Sequence, residues 1–174
     1  MEIADAYLKN ATVREGLQNL VSKLSDDQLN ARPDGENWSV QEIVEHISIV
    51  DEGISRICAK LVGAAKEAGK SGDGKIHLSD DFIKHTTAAP NQKLEAPERV
   101  HPTGQVTIVQ SFAKMDETKT AFEAIRQDLG AYDQSEHKFP HPHFGGLTAA
   151  EWFVLAGGHE LRHTKQIGRL LEKL

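Results

Sequence analysis

AAEWFVLAGGHELRHTKQIGRLLEKL, residues 149–174, is the stretch whose reading decides the fold. Trp152, Leu155, Ala156, Ile167, Leu170 and Leu171 recur at helical spacing. Stepping by three and four from Trp152 gives positions 156, 159, 163, 166 and 170, so His159 and His163 fall on the inward stripe where core residues belong. Side chains four apart share one face, with Cβ atoms roughly 5–6 Å apart. Two imidazoles so placed can ligate one metal ion through neighbouring coordination positions; the alternative is a pair of hydrogen-bonded core histidines. The helix start is equally plain. Thr148 can cap, Glu151 three residues later completes a capping box, and Leu147 can staple Trp152.

Three further segments carry the same period. One runs from about Ile3 to Leu24 through Tyr7, Val13, Leu17, Leu20 and Val21. Another runs from Val40 to Ala65 through Ile43, Val44, Ile47, Ile54, Ile57, Cys58, Leu61 and Val62. A third runs from Val106 to Leu129 through Val109, Phe112, Met115, Phe122 and Ile125. Ser39 and Glu42 form a capping box with Trp38 as staple, and Ser25 with Gln28 opens a short helix that Pro33 and Gly35 soon end. Residues 66–105 form a long crossover with a short helix near SDDFIKH, and residues 130–147 a second loop; no alternating strand pattern competes. Four long helices with one long crossover predict an all-α four-helix bundle, a single domain spanning 1–174.

HELRH, residues 159–163, fits the H-E-x-x-H of zinc proteases, in which the glutamate is the general base. The continuation HTKQIGRLLEKL lacks the third histidine of the H-E-x-x-H-x-x-G-x-x-H form, so a third ligand is expected upstream. His46 in WSVQEIVEHI is the best candidate: it lies one turn from Ile43 and Val50, beside the core stripe of its helix. Facing helices commonly build metal sites in bundles, and three histidines leave a coordination position open. Glu42 or Glu45 can orient an imidazole from behind. Glu160 is either the base or an ordinary solvated helix residue, and the incomplete protease pattern favours the second. A di-iron site fails, because the other Glu-x-x-His, Glu98 to His101, sits between prolines. His137, His141 and His143 in the second loop, and His77, His85 and His101 in the crossover, read as loop residues with the option of lining a pocket mouth. Cys58 lies on an apolar face and packs rather than reacts.

Composition removes other functions. A formal net charge of −6 without a basic cluster argues against a nucleic-acid partner. No apolar run approaches the roughly 20 residues of a membrane span, so no membrane partner is expected. MEIADAYLKN has no apolar core of a secretory signal, and one cysteine excludes a disulfide framework, so the cytoplasm is the expected location.

PDGENWSVQEIVEHI (residues 33–47), APERVHPTG (96–104) and HPHFGGLTAAEW followed by GHELRHTKQI together resemble the DinB-like superfamily over nearly the whole chain, in order. The resemblance implies a bundle of up-down-down-up topology and a divalent metal, often nickel or zinc, held by three histidines, here His46, His159 and His163. It implies thiol-dependent transfer or isomerisation with bacillithiol, mycothiol or glutathione as co-substrate, or metal-dependent hydrolysis, on a small-molecule substrate. Homodimers are frequent in the family and no DNA activity is implied. In that setting the glutamate of HELRH is incidental. A non-catalytic bundle that binds metal or a small molecule is the alternative.

Overall fold

Helices with one apolar stripe are stable only when the stripes are buried together. The computed structural model describes residues 1–88 and 95–174. Its helices are α1 (Ile3–Val21), α2 (Asp26–Asn30), α3 (Val40–Ala68), α4 (Asp80–Ala88), α5 (Ile108–Ile125), α6 (Asp128–Ala131) and α7 (Ala149–Leu171). The capping boxes expected at Ser25, Ser39 and Thr148 all form. A fourth, Thr107 with Gln110, opens α5 two residues later than the apolar run suggested.

Several boundaries differ from expectation. α3 continues past Ala65 to Ala68, where Gly69 takes a φ of +70° as a left-handed cap. α5 stops at Ile125 and resumes as the single turn α6. Val109, assigned to the core by spacing, is 77% exposed; Ser111, Met115, Thr118 and Phe122 face inward instead. The second loop holds an unexpected hairpin, β1 (Phe139–His141) antiparallel to β2 (Gly145–Leu147). Three-residue strands containing Pro140, Gly145 and Gly146 carry no readable alternation. Within the crossover, residues 89–94 lie outside the described residues, and a 3-10 turn follows at Glu98–Val100.

Side-chain pairs fix the topology. Arg14 of α1 reaches Glu160 of α7, and Asn10 reaches Phe153, so α1 and α7 run parallel. His46 lies by His159 while Cys58 lies by Ala149, so α3 and α7 are antiparallel. Lys114 of α5 pairs with Glu52, and Asp128 of α6, just after the end of α5, pairs with Lys66, so the crossover leaves α3 and α5 parallel. The order is up-down-down-up.

The interior has two apolar lobes. One contains Tyr7, Ile54, Cys58, Leu61, Phe122, Trp152 and Phe153. The other contains Leu17, Val21, Ile43, Ile47, Met115, Ile167 and Leu170. Between them in chain position on three helices lie Arg14, Asp51 and Glu160, a buried ionic layer with Arg14 contacting each carboxylate at 2.7 Å. Among the described residues no helix is long and apolar enough to cross a membrane.

Candidate metal centre

His46 enters the site one and a half turns into α3, positioned by the Ser39 capping box, whose geometry fixes the direction of the helix. His159 and His163 enter from α7, one turn apart. Their ring nitrogens converge: His159 Nε2 lies 3.2 Å from His46 Nε2 and 3.1 Å from His163 Nε2. His46 and His163 are buried and His159 is half-buried. The three offer one ligand atom each, all within 4.8 Å of one another, and could hold a metal ion.

Tautomers sharpen this. His46 Nδ1 lies 2.7 Å from the carbonyl oxygen of Val100, which can only accept, so His46 carries its proton on Nδ1 and presents an Nε2 lone pair. His163 Nδ1 lies 2.8 Å from Gln166 Oε1 and is directed the same way. A single proton on His159 Nε2 cannot serve both neighbours, and its Nδ1 is buried without a partner among the described residues. Three mutually facing acceptors suit a cation better than one another. Burial lowers the pKa of all three rings, to about 4 for His163 and well below the ordinary histidine value for His159, where the neighbouring histidines add to the effect. The rings are therefore neutral at neutral pH, the form that binds metal.

The carboxylates expected behind the rings act differently. Glu42 serves the α3 cap and pairs with Arg32. Glu45 is 1% exposed and bonds the crossover: its Oε1 accepts from Thr103 N at 2.8 Å and Thr103 Oγ1 at 2.7 Å, its Oε2 from Gly104 N at 2.9 Å. A backbone carbonyl, Val100, orients His46 instead. Glu160 is not a solvated residue: it is 3% exposed and bound to Arg14 Nε, on the side of α7 that faces α1. Sequence spacing could not see this, because Arg14 lies 146 residues away.

Around the trio, the Trp38 ring lies 4.8 Å from that of His46 and 5.8 Å from that of His101. His141, on β1, stacks on Phe144 at 4.4 Å and lies 5.1 Å from Trp152, two turns before His159. Its Nδ1 accepts from His143 N, and burial lowers its pKa to about 4. His143 and His85 flank Phe144, His77 pairs with Asp73, and His137 N caps back on Gln134. Cys58 is fully buried beside Ala149 O, and burial pushes its thiol pKa far up, as a packing residue requires. The two long loops also enclose a cleft of about 320 Å³ lined by Lys75, His77, Asp133 and Glu151, and no residue of the trio lines it.

The chain is thus an up-down-down-up helical bundle with a three-histidine cluster between α3 and α7 that could hold a metal ion. The family model of the DinB superfamily matches residues 10–167, and the chain belongs to that superfamily. It is 28% identical over 162 residues to the uncharacterised protein YuaE of Bacillus subtilis (strain 168), covering 90% of this chain and 91% of that one. No solved structure matches.

Proposed function

We propose that the protein is a metal-dependent enzyme, a thiol S-transferase or hydrolase acting on a small molecule, with His46, His159 and His163 as ligands of one divalent ion. The observation that carries this reading is the convergence of three Nε2 atoms, at 3.1 and 3.2 Å, from two facing helices. Neutral imidazoles suit nickel and zinc. When bound, such an ion would supply Lewis acidity at an open position, lowering the pKa of water or of a low-molecular-weight thiol there. The chain's own residues do the rest. Burial keeps the rings neutral, Val100 O and Gln166 aim two of them, and the Trp38 ring packs against that of His46.

The test is metal content of untagged protein purified without chelator. About one equivalent per chain is expected, with loss in His159→Ala. Absence of stoichiometric metal under metal-replete conditions would overturn the reading. Loaded protein should then catalyse thiol conjugation or hydrolysis in a substrate screen. Silence in both with metal bound would leave a metal-stabilised bundle instead.

A further inference from the structure

The segment 97–104 crosses the open flank of α3. Among the described residues, its hydrogen bonds to the bundle run to two adjacent α3 residues: Thr103 and Gly104 to Glu45, and Val100 O to His46 Nδ1. Inside the segment, Val100 N and His101 N bond back to Pro97 O and Glu98 O, and His101 Nε2 to Ala96 O, so the turn is a small stiff unit. Gly104 has a φ of +74°, and a Cβ there would meet Glu42 Oε1 at 3.2 Å. The motif VHPTG and the pair Glu45-His46 therefore interlock: Thr103 supplies two donors and Gly104 the third, in a conformation that favours glycine.

We propose that Glu45 is the positioning residue for His46, acting through this segment: its carboxylate holds Thr103 and Gly104, which sets Val100 O against His46 Nδ1 and so turns the Nε2 lone pair toward His159 and His163. The inference rests on the metal-centre reading for its purpose, while its geometry stands without metal. Glu45 touches neither ring nor substrate. Its effect is on the tautomer and the aim of one ligand, and loss of such outer partners typically lowers metal affinity about 10–100-fold.

Two measurements test it. In the metal-free protein, long-range ¹H–¹⁵N spectra should show His46 as a single Nδ1–H tautomer, and Glu45→Gln, which turns one acceptor into a donor facing Gly104 N–H, should give a mixture. In Co²⁺ titrations, Glu45→Gln should bind about 10-fold or more weakly with an altered d–d spectrum. Thr103→Val should bind more weakly than wild type, and Thr103→Ser, which keeps both donors, should restore affinity. Unchanged His46 tautomer in Glu45→Gln would overturn the proposal, as would equal Co²⁺ affinity across the Thr103 pair. If Glu45→Gln fails to fold, the Thr103 pair decides. If wild type takes up no Co²⁺, the metal reading falls, and the tautomer comparison still decides the role of Glu45.

Discussion

Arg14 sits between Asp51 and Glu160, so one guanidinium faces two buried carboxylates. Burial, reinforced by Glu160, pushes the Asp51 pKa up to about 8 against the opposing pull of Arg14, and its Oδ1 has no partner among the described residues. A carboxyl raised in the fold holds a proton that the unfolded chain has released. Its contribution to stability is therefore present below the ordinary carboxylate range and falls as pH rises toward about 8, by about 1.4 kcal/mol per pH unit at most. Asp51→Asn keeps an acceptor for Arg14 and removes this loss. Thermal melts from pH 5 to 9 should show the variant gaining on wild type as pH rises, and a gap that does not change with pH would contradict the assignment. Arg14→Ala leaves Glu160 without its cation and Asp51 without its donor, and should cost about 3–5 kcal/mol in urea unfolding at neutral pH. The histidine trio behaves in the opposite sense. Rings whose pKa is already depressed, to about 4 in His163, release few protons to metal near neutrality. Co²⁺ affinity should fall less between pH 8 and pH 6 than it would for three ordinary histidines, since all three rings are lowered by burial.

At the scale of elements, the crossover is held near each end by a buried carboxylate. Glu45 takes Thr103 and Gly104, and Glu151 takes Ser79 N at 2.9 Å and Ser79 Oγ at 2.5 Å while also accepting from Thr148 N at 2.9 Å. These bonds hold the Glu151 pKa down despite its burial, so its contribution is present above the ordinary glutamate range and is lost on acidification. Glu151→Ala leaves several donors without an acceptor and should cost about 2–3 kcal/mol, measured as a fall in urea midpoint. Cap signals made the starts of α3 and α7 legible in sequence, because Ser39–Glu42 and Thr148–Glu151 are local devices. That Glu151 also restrains Ser79 was not legible, since 72 residues separate them. The same division holds at the site. His159 and His163 declare themselves by helical phase, and His46 by its nearness to a core stripe. Val100 O and Arg14 have no pattern to announce them, because a backbone carbonyl and a long-range ion pair leave no period.

Across the whole molecule, the Arg14–Asp51–Glu160 layer sits between two apolar lobes and ties α1, α3 and α7 at one level. Replacing the three together with apolar residues of similar volume should leave stability equal or higher in urea titrations, since desolvating a buried ion cluster offsets much of its attraction. The same variant should bind Co²⁺ more weakly than wild type, because apolar side chains tolerate small slides of α7 that the ion pairs forbid; undiminished affinity would show that the histidines are aligned by other contacts. The convergence of His46 with His159 has one more consequence. Their ring nitrogens meet across 113 residues of chain, so the site exists only after a loop of most of the protein has closed. Short-range helix formation cannot assemble it, and neither can α7 alone. Metal affinity is thus a readout of completed folding, and a metal that binds the native chain and not the unfolded one shifts the folding equilibrium in proportion to its free concentration.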